Sequence, residues 1–293
     1  MDRIKIRLGG YQGPNSVHTR GAVRFGEVLE REAGGLAEFE LIPDVIALGR
    51  PSGDLPVMVE NGELALCYIS TVRFAQAVPE LTIFELPYVV RERARAIAAI
   101  DGALGTLLKA RMQAHTPFRA LGFWDNGFRH ITNRVRPIHT PADCKGLRIR
   151  TQISALHGEV LGAMGFEPIP VDVKEFVEQV DTDRFQAQEN PLTNTFNFNV
   201  HKYHRYHTLT GHFFGTSALV CSKAAYAKWP VELQRAIDIA GREATKHQHA
   251  LAAAEDDEIL AQLDPKETDV IRLTAAEQEA FVKAVEPVLA KHR

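Results

Sequence analysis

The sequence predicts an α/β protein with mostly parallel sheets, built as two intertwined lobes. Three observations carry this reading. Short apolar or alternating runs of strand character are separated by helical stripes through the first two thirds of the chain. No low-complexity linker divides the 293 residues, although that length is enough for two cores. From about Pro230 to Leu263 one helical pattern runs nearly unbroken, interrupted only by Gly241. At about 1.5 Å per residue it would be roughly 50 Å long, longer than a small domain is wide, so it is best placed spanning both lobes.

The opening MDRIKIRLGG alternates Ile4, Ile6 and Leu8 with charged residues and reads as a first strand. After the loop YQGPNS comes a helix whose buried stripe is Ala22, Phe25, Leu29 and Ala33, ended by Gly34-Gly35. EFELIP and ELALCYI are further strands, with a short helix between them. LTIFELPYVV turns at a Pro87-Tyr88 corner. Residues 91–114 read as one surface helix, with Ile97, Ile100, Leu104, Leu107 and Leu108 facing inward.

In the middle third, FRALGFWDNGFRHITN reads as two strand pieces broken at Asn126-Gly127, and GLRIRT and FQAQEN are strands. Ile153, Leu156, Val160, Leu161 and Met164 mark a helix closed by Gly165. Capping boxes are expected at Asp172 with Glu175 and at Thr274 with Glu277.

A net charge of -3 gives no nucleic-acid footprint, so positive residues are read locally, as ligand contacts. Cys67, Cys144 and Cys221 form no C-x-x-C pair and read as small apolar fillers. No apolar run is long enough to span a bilayer, and the opening segment lacks the apolar core of a signal peptide. The sequence contains no G-x-S-x-G, no H-E-x-x-H, no Walker A loop and no G-x-G-x-x-G after its first strand. Asp256, Asp257 and Glu258 read as a solvated helix face. His201, His204 and His207 recur every third residue, a spacing that alternates faces of an extended chain. Their expected role is a surface segment and not a metal site. No catalytic residue, metal ligand or cofactor is assigned.

Binding chemistry is better represented. In KGLRIRT, Leu147 and Ile149 alternate with Arg148 and Arg150, giving one apolar face and one guanidinium face. Arg150 ends its strand just before a helix starting near Ser154, where backbone N–H groups favour an anion. Arg129 in GFRHITN and Asn190 in QENP also fall at strand ends. Guanidinium forks with an amide nearby suit a carboxylate ligand. The alternative is that Arg129 or Arg148 pairs internally with Glu189 or Asp125.

The succession GFRHITN, RPIHTPADCKGLRIRT, LGAMGFEPIPV and FQAQENPLTN, preceded by VENGELAL and ELPYVV, resembles the solute-receptor subunit of TRAP transporters, the DctP-like family. The likeness runs from about Ile4 past Trp229. It implies a two-domain, periplasmic-binding-protein-like fold with a ligand cleft between lobes and a long helix spanning both. The lobes are drawn as residues 1–126 with 215–253 and 127–214 with 254–293. It also implies a non-catalytic, monomeric periplasmic receptor that closes on a small organic carboxylate and delivers it to TRAP membrane permease subunits, without nucleic acid. Its leader would have been removed.

By the same resemblance Arg150 forms a bidentate pair with the ligand carboxylate, Arg129 supplements it, Asn190 positions the ligand, and His212 lies near the hinge. Arg148 is then an exposed or ion-paired residue. Aromatic walls are expected from Trp124, Tyr88 and Phe213, with Phe128 and Phe214 as further candidates. The family's usual aspartate and glycine before the QENP segment are replaced by Gln186 and Ala187, and its covering aromatic by Val173. The rival reading is a cytosolic sensor module or enzyme on the same fold.

Overall fold

The structure, a computed structural model, describes residues 3–292. Met1 and Asp2, at the head of the expected first strand, and Arg293, at the end of the expected second lobe, lie outside the described residues. In chain order the elements are β1 (Ile4–Gly9), α1 (Val17–Ala33), β2 (Ala37–Ile42), α2 (Leu55–Glu60), β3 (Leu66–Ser70), α3 (Arg93–Asp101) and α4 (Ala103–His115). There follow β4 (Phe118–Asn133), α5 (Pro141–Cys144), β5 (Arg148–Thr151), α6 (Ala155–Ala163), β6 (Glu167–Pro170), α7 (Val173–Val177), β7 (Ala187–Pro191) and α8 (Leu192–Asn197). The chain ends with β8 (Tyr206–Ser222), α9 (Lys223–Lys228), α10 (Val231–Gln262), β9 (Asp269–Ile271) and α11 (Ala275–His292).

The chain divides into two compact units, Met1–Leu81 with Glu92–Asn126 and Thr216–Glu255, and Thr82–Arg91 with Gly127–Gly215 and Asp256–Arg293. It passes from one to the other inside β4, β8 and α10. The 32-residue α10, about 48 Å at about 1.5 Å per residue, therefore contributes to both. The sequence-based division places residues 82–91 with the first lobe, but they group with the second unit. There the Glu85 carboxylate binds His157 and the Tyr88 N–H donates to the His212 carbonyl.

In the first unit β1 pairs in parallel with β2 and β3, and β3 pairs antiparallel with β8. In the second, β7 lies between antiparallel β4 and parallel β5, and β6 extends that edge. β9 pairs with β8 at Tyr206–Thr208. The sheets are thus mixed, because the long strand β4 runs against β7 and β8 runs against β3.

Two local expectations change. Residues 91–114 are two helices, since Gly102 leaves the helical conformation and α4 starts hard against the turn before it. A Cβ on Gly105 would lie 1.7 Å from the Ile100 carbonyl oxygen, so only glycine permits this junction. β4 is one continuous strand: Gly127, at φ 89°, absorbs the bend that Asn126-Gly127 suggested as a break.

The second unit's core packs Ile131, Ile149 and Ala187 of β4, β5 and β7 against Leu156, Val160 and Leu161 of α6 and Phe281 and Val285 of α11. The Thr274–Glu277 capping box is present, with reciprocal hydrogen bonds. At α7 the Asp172 side chain instead accepts from the Lys174 N–H. All three cysteines are buried and unpaired in disulfides.

Candidate functional site

Strand registers in the second unit decide which side chains share a face. Arg150 registers with Gln188 on parallel β5 and β7, so Arg150, Gln188 and Asn190 project to one side. Thr151 and Glu189 project to the other, over the core.

On the first side Arg150 is only 3% exposed although it carries a full charge. Its guanidinium donates to the Val171 carbonyl at 2.9 Å and lies 5.4 Å from the centre of the Phe176 ring. A backbone oxygen and an aromatic face thus fix the group in place at the carboxyl end of β5, where ligands of α/β sheets sit. Next to it runs a chain of buried amides and hydroxyls. The Gln188 amide donates to Thr132 Oγ1 and Thr195 Oγ1, while its oxygen accepts from Asn190 Nδ2 at 2.5 Å. Asn190 Oδ1 accepts from Arg129 and from Asn194 Nδ2, both at 3.2 Å. An amide offers two acceptor and two donor positions. Three of Asn190's are used internally, leaving one N–H to offer a ligand oxygen.

Arg129 does something different. Its Nε donates to Glu189 Oε2 at 2.5 Å and its Nη2 to Glu189 Oε1 at 2.9 Å, a fork-to-carboxylate pair with side chains 3% and 0% exposed. The internal pairing is therefore the one realised, and Arg129 acts chiefly through Glu189 and Asn190. Thr151 Oγ1 also donates to Glu189, at 2.7 Å. The His157 and His212 rings stand 3.6 and 3.7 Å from the same carboxylate. Burial raises the Glu189 carboxyl, but the Arg129 charge and the two histidines outweigh this and hold it well below its ordinary range.

His157 is tied to Glu85 through Nε2 and lies flat on Phe213, ring centres 4.2 Å apart. Burial lowers its pKa, but Glu85 and Glu189 together raise it above the ordinary value. The Thr151 hydroxyl, whose proton is on Glu189, also stands 3.4 Å from His157 Nδ1.

The sequence-predicted residues therefore separate. Arg129 and His212 gather around Glu189, with Phe213 stacked on the neighbouring His157, whereas Arg150 and Asn190 project to the opposite side of the same strands. Tyr88 is a core residue at φ 58°, and Trp124 lies in the first unit, its indole N–H on Thr245 Oγ1 at 3.1 Å. Phe128 packs edge-on against Phe214, 5.2 Å apart. Arg148 donates to the Asp183 and Arg184 carbonyls, away from Arg150. His204 and His207 are buried, contrary to the expected surface segment, because the chain enters β8 here and His204 Nδ1 meets Thr132 Oγ1 at 2.8 Å. Glu85, Thr151, His157 and Gln188 carry no sequence signal for these roles. Only their long-range pairing reveals them.

The profile described as bacterial extracellular solute-binding protein, family 7 (DctP) matches residues 8–293. The chain belongs to this family. Among its relatives is the 2,3-diketo-L-gulonate-binding periplasmic protein YiaO of Escherichia coli K12, 28% identical over 90% of this chain and 79% of that protein. Another is the C4-dicarboxylate-binding periplasmic protein DctP of Rhodobacter capsulatus, 25% identical over 97% of this chain and 85% of that one. The crystal structure of a TRAP periplasmic solute-binding protein from Polaromonas sp. JS666, bound to D-erythronate, superposes with a TM-score of 0.92 at 26% identity, covering 99% of this chain and 94% of that one. The DctP family consists of extracytoplasmic solute receptors that work with TRAP membrane permeases. This chain is such a receptor, and among its described residues no helix is long and apolar enough to cross a membrane.

Proposed function

We propose that this DctP-family chain binds a small organic carboxylate through Arg150, with the remaining N–H of Asn190 as a second donor to the same anion. The observation that carries this reading is the deeply buried Arg150 guanidinium, fixed by the Val171 carbonyl and the Phe176 ring at a strand's carboxyl end. A planar fork held in one orientation is organised for a carboxylate before the ligand arrives. Arg129, Glu189, Gln188 and Asn194 position Asn190, while His212 stands beside Glu189 and Phe213 stacks on His157. In this reading the receptor is a periplasmic monomer that releases its ligand chemically unchanged to the permease and does not engage nucleic acid.

The test is a thermal-shift screen of ligand-stripped protein against monocarboxylates, dicarboxylates and uncharged analogues. A carboxylate at about 1,000 times its Kd should stabilise the native state by about 4 kcal/mol, a shift of several degrees. Uncharged analogues should give none. Shifts by amides or alcohols equal to those of the acids would overturn the assignment.

A further inference from the structure

Positive charge also gathers within the first unit, at residues the carboxylate chemistry does not use. Lys109 of α4, Arg119 of β4 and Arg242 of α10 line one open cavity of about 330 Å³, with Gln113, Leu121 and Asp238 in the same wall. A Cβ on Gly241 would stand 2.9 Å from that of Leu121, so glycine lets α10 pack close to β4 and sets Arg242 beside the cavity.

The three cations are held differently. Arg119 donates through Nη2 to both Asp238 oxygens, at 3.1 and 3.2 Å, and its guanidinium lies 4.5 Å from the centre of the Tyr226 ring. Lys109 donates to the Leu121 carbonyl at 2.9 Å, which leaves two of its three N–H groups without a partner among the described residues. Arg242 is exposed, one helical turn beyond Asp238, and makes no ion pair among the described residues. Arg119 and the Tyr226 hydroxyl already hold that carboxylate.

Asp238 is the one carboxylate among the described residues of the wall, so two positive charges stand unbalanced. Burial lowers the Lys109 pKa, and the like charges of Arg119 and Arg242 act in the same direction, against Asp101 and Asp238. Such a site favours a ligand that neutralises it. A carboxylate brings a single charge and two oxygens in one plane. A phosphate group brings a charge of about −1.5 to −2 at neutral pH and three acceptor oxygens that point in different directions. The donors here converge from three separate elements, two as guanidinium groups and one as an ammonium point charge, a combination that matches phosphate better.

We propose that Lys109, Arg119 and Arg242 form a binding site for a phosphate group, carried either by a free phosphate or by an anionic lipid headgroup. The site shares no residue with the carboxylate site and does not rest on it.

Calorimetry on the full chain would use inorganic phosphate as the probe. One phosphate should bind per chain with a Kd of about 1 mM or tighter. In Arg150→Ala, which removes the solute arginine, phosphate binding should persist, and acetate should bind that variant at least about tenfold more weakly than phosphate. Arg242→Gln should weaken phosphate binding about tenfold, the effect of one charge-assisted contact, and adding Lys109→Met should weaken it further. Arg31→Met, an exposed change on α1, should leave it unaltered. Circular dichroism establishes that each variant is folded, and Arg242→Gln alone decides if the double variant is not. Sedimentation with phosphatidylcholine vesicles, with and without phosphatidic acid, separates the two sources. Uptake that needs phosphatidic acid, is displaced by phosphate and is lost in Arg242→Gln assigns the headgroup. Phosphate binding without vesicle uptake assigns a free phosphate. Absence of phosphate binding, its loss in folded Arg150→Ala, or unchanged affinity in Arg242→Gln would each overturn the proposal.

Discussion

Replacing Glu189 by glutamine should destabilise the second unit more than its nearly unchanged shape suggests. The carboxylate accepts from Arg129 Nε and Nη2 and from Thr151 Oγ1, and both Arg129 and Glu189 are sealed from water. Glutamine removes the charge and turns one acceptor oxygen into a donor, which must face another donor. The Arg129 charge is then left buried and poorly matched. Breaking one partner of a buried pair costs about 3–5 kcal/mol, against less than about 1 kcal/mol for an exposed pair. Melting of the ligand-free protein should therefore fall by on the order of 10 °C for Glu189→Gln, while Glu27→Gln, breaking the exposed Arg24–Glu27 pair, should move it by about a degree. A double-mutant cycle with Arg129→Met isolates the coupling, expected at about 2 kcal/mol or more. Glu189→Gln within about 1 kcal/mol of wild type, or single effects that simply add, would refute the buried-pair account.

Two further outcomes follow from buried groups. His18, His204 and His207 are held neutral by burial, with pKa values near 3, 3 and 4. Unfolded imidazoles take up protons below about pH 6.5, so stability should fall toward acid through that window, by up to about 1.4 kcal/mol per pH unit for each. His157 has the opposite sign: its contribution is fully present below about pH 6.5 and is lost as pH rises through its raised folded value. Urea midpoints against pH should thus peak near neutrality, and His157→Gln should flatten only the alkaline arm. A wild-type curve that keeps rising above neutrality would contradict the raised His157 pKa. Gly10→Ala would place a Cβ 2.3 Å from the buried Tyr68 ring, a cost of about 1–3 kcal/mol by equilibrium unfolding. A neutral result would mean that the ring is not tightly seated.

Much of the architecture was legible because it rests on local pattern. The stripe of α1, the alternation in β1 and β5 and the length of α10 each follow from periodicity, and the Thr274 box from two residues three apart. The placement of Arg150 near a strand end was legible for the same reason, since the strand and the following helix are neighbours in sequence. The Glu189 cluster was not, because Glu85, Arg129, His157 and His212 come from four separate segments and no local spacing announces their meeting. Arg129 illustrates the difficulty: its chemistry suits a ligand carboxylate and an internal one equally, and only the position of Glu189 decides. The burial of His204 and the split at Gly102 were hidden likewise, one by a strand start and the other by the close approach of two backbones at Gly105.

The most direct test is calorimetric titration of stripped wild-type protein and Arg150→Ala with the carboxylate giving the largest thermal shift. Losing a buried, charge-assisted contact should cost several kcal/mol, so affinity should drop by about a hundredfold or more in a variant that remains folded. Affinity within about twofold of wild type would show that Arg150 does not hold the solute carboxylate.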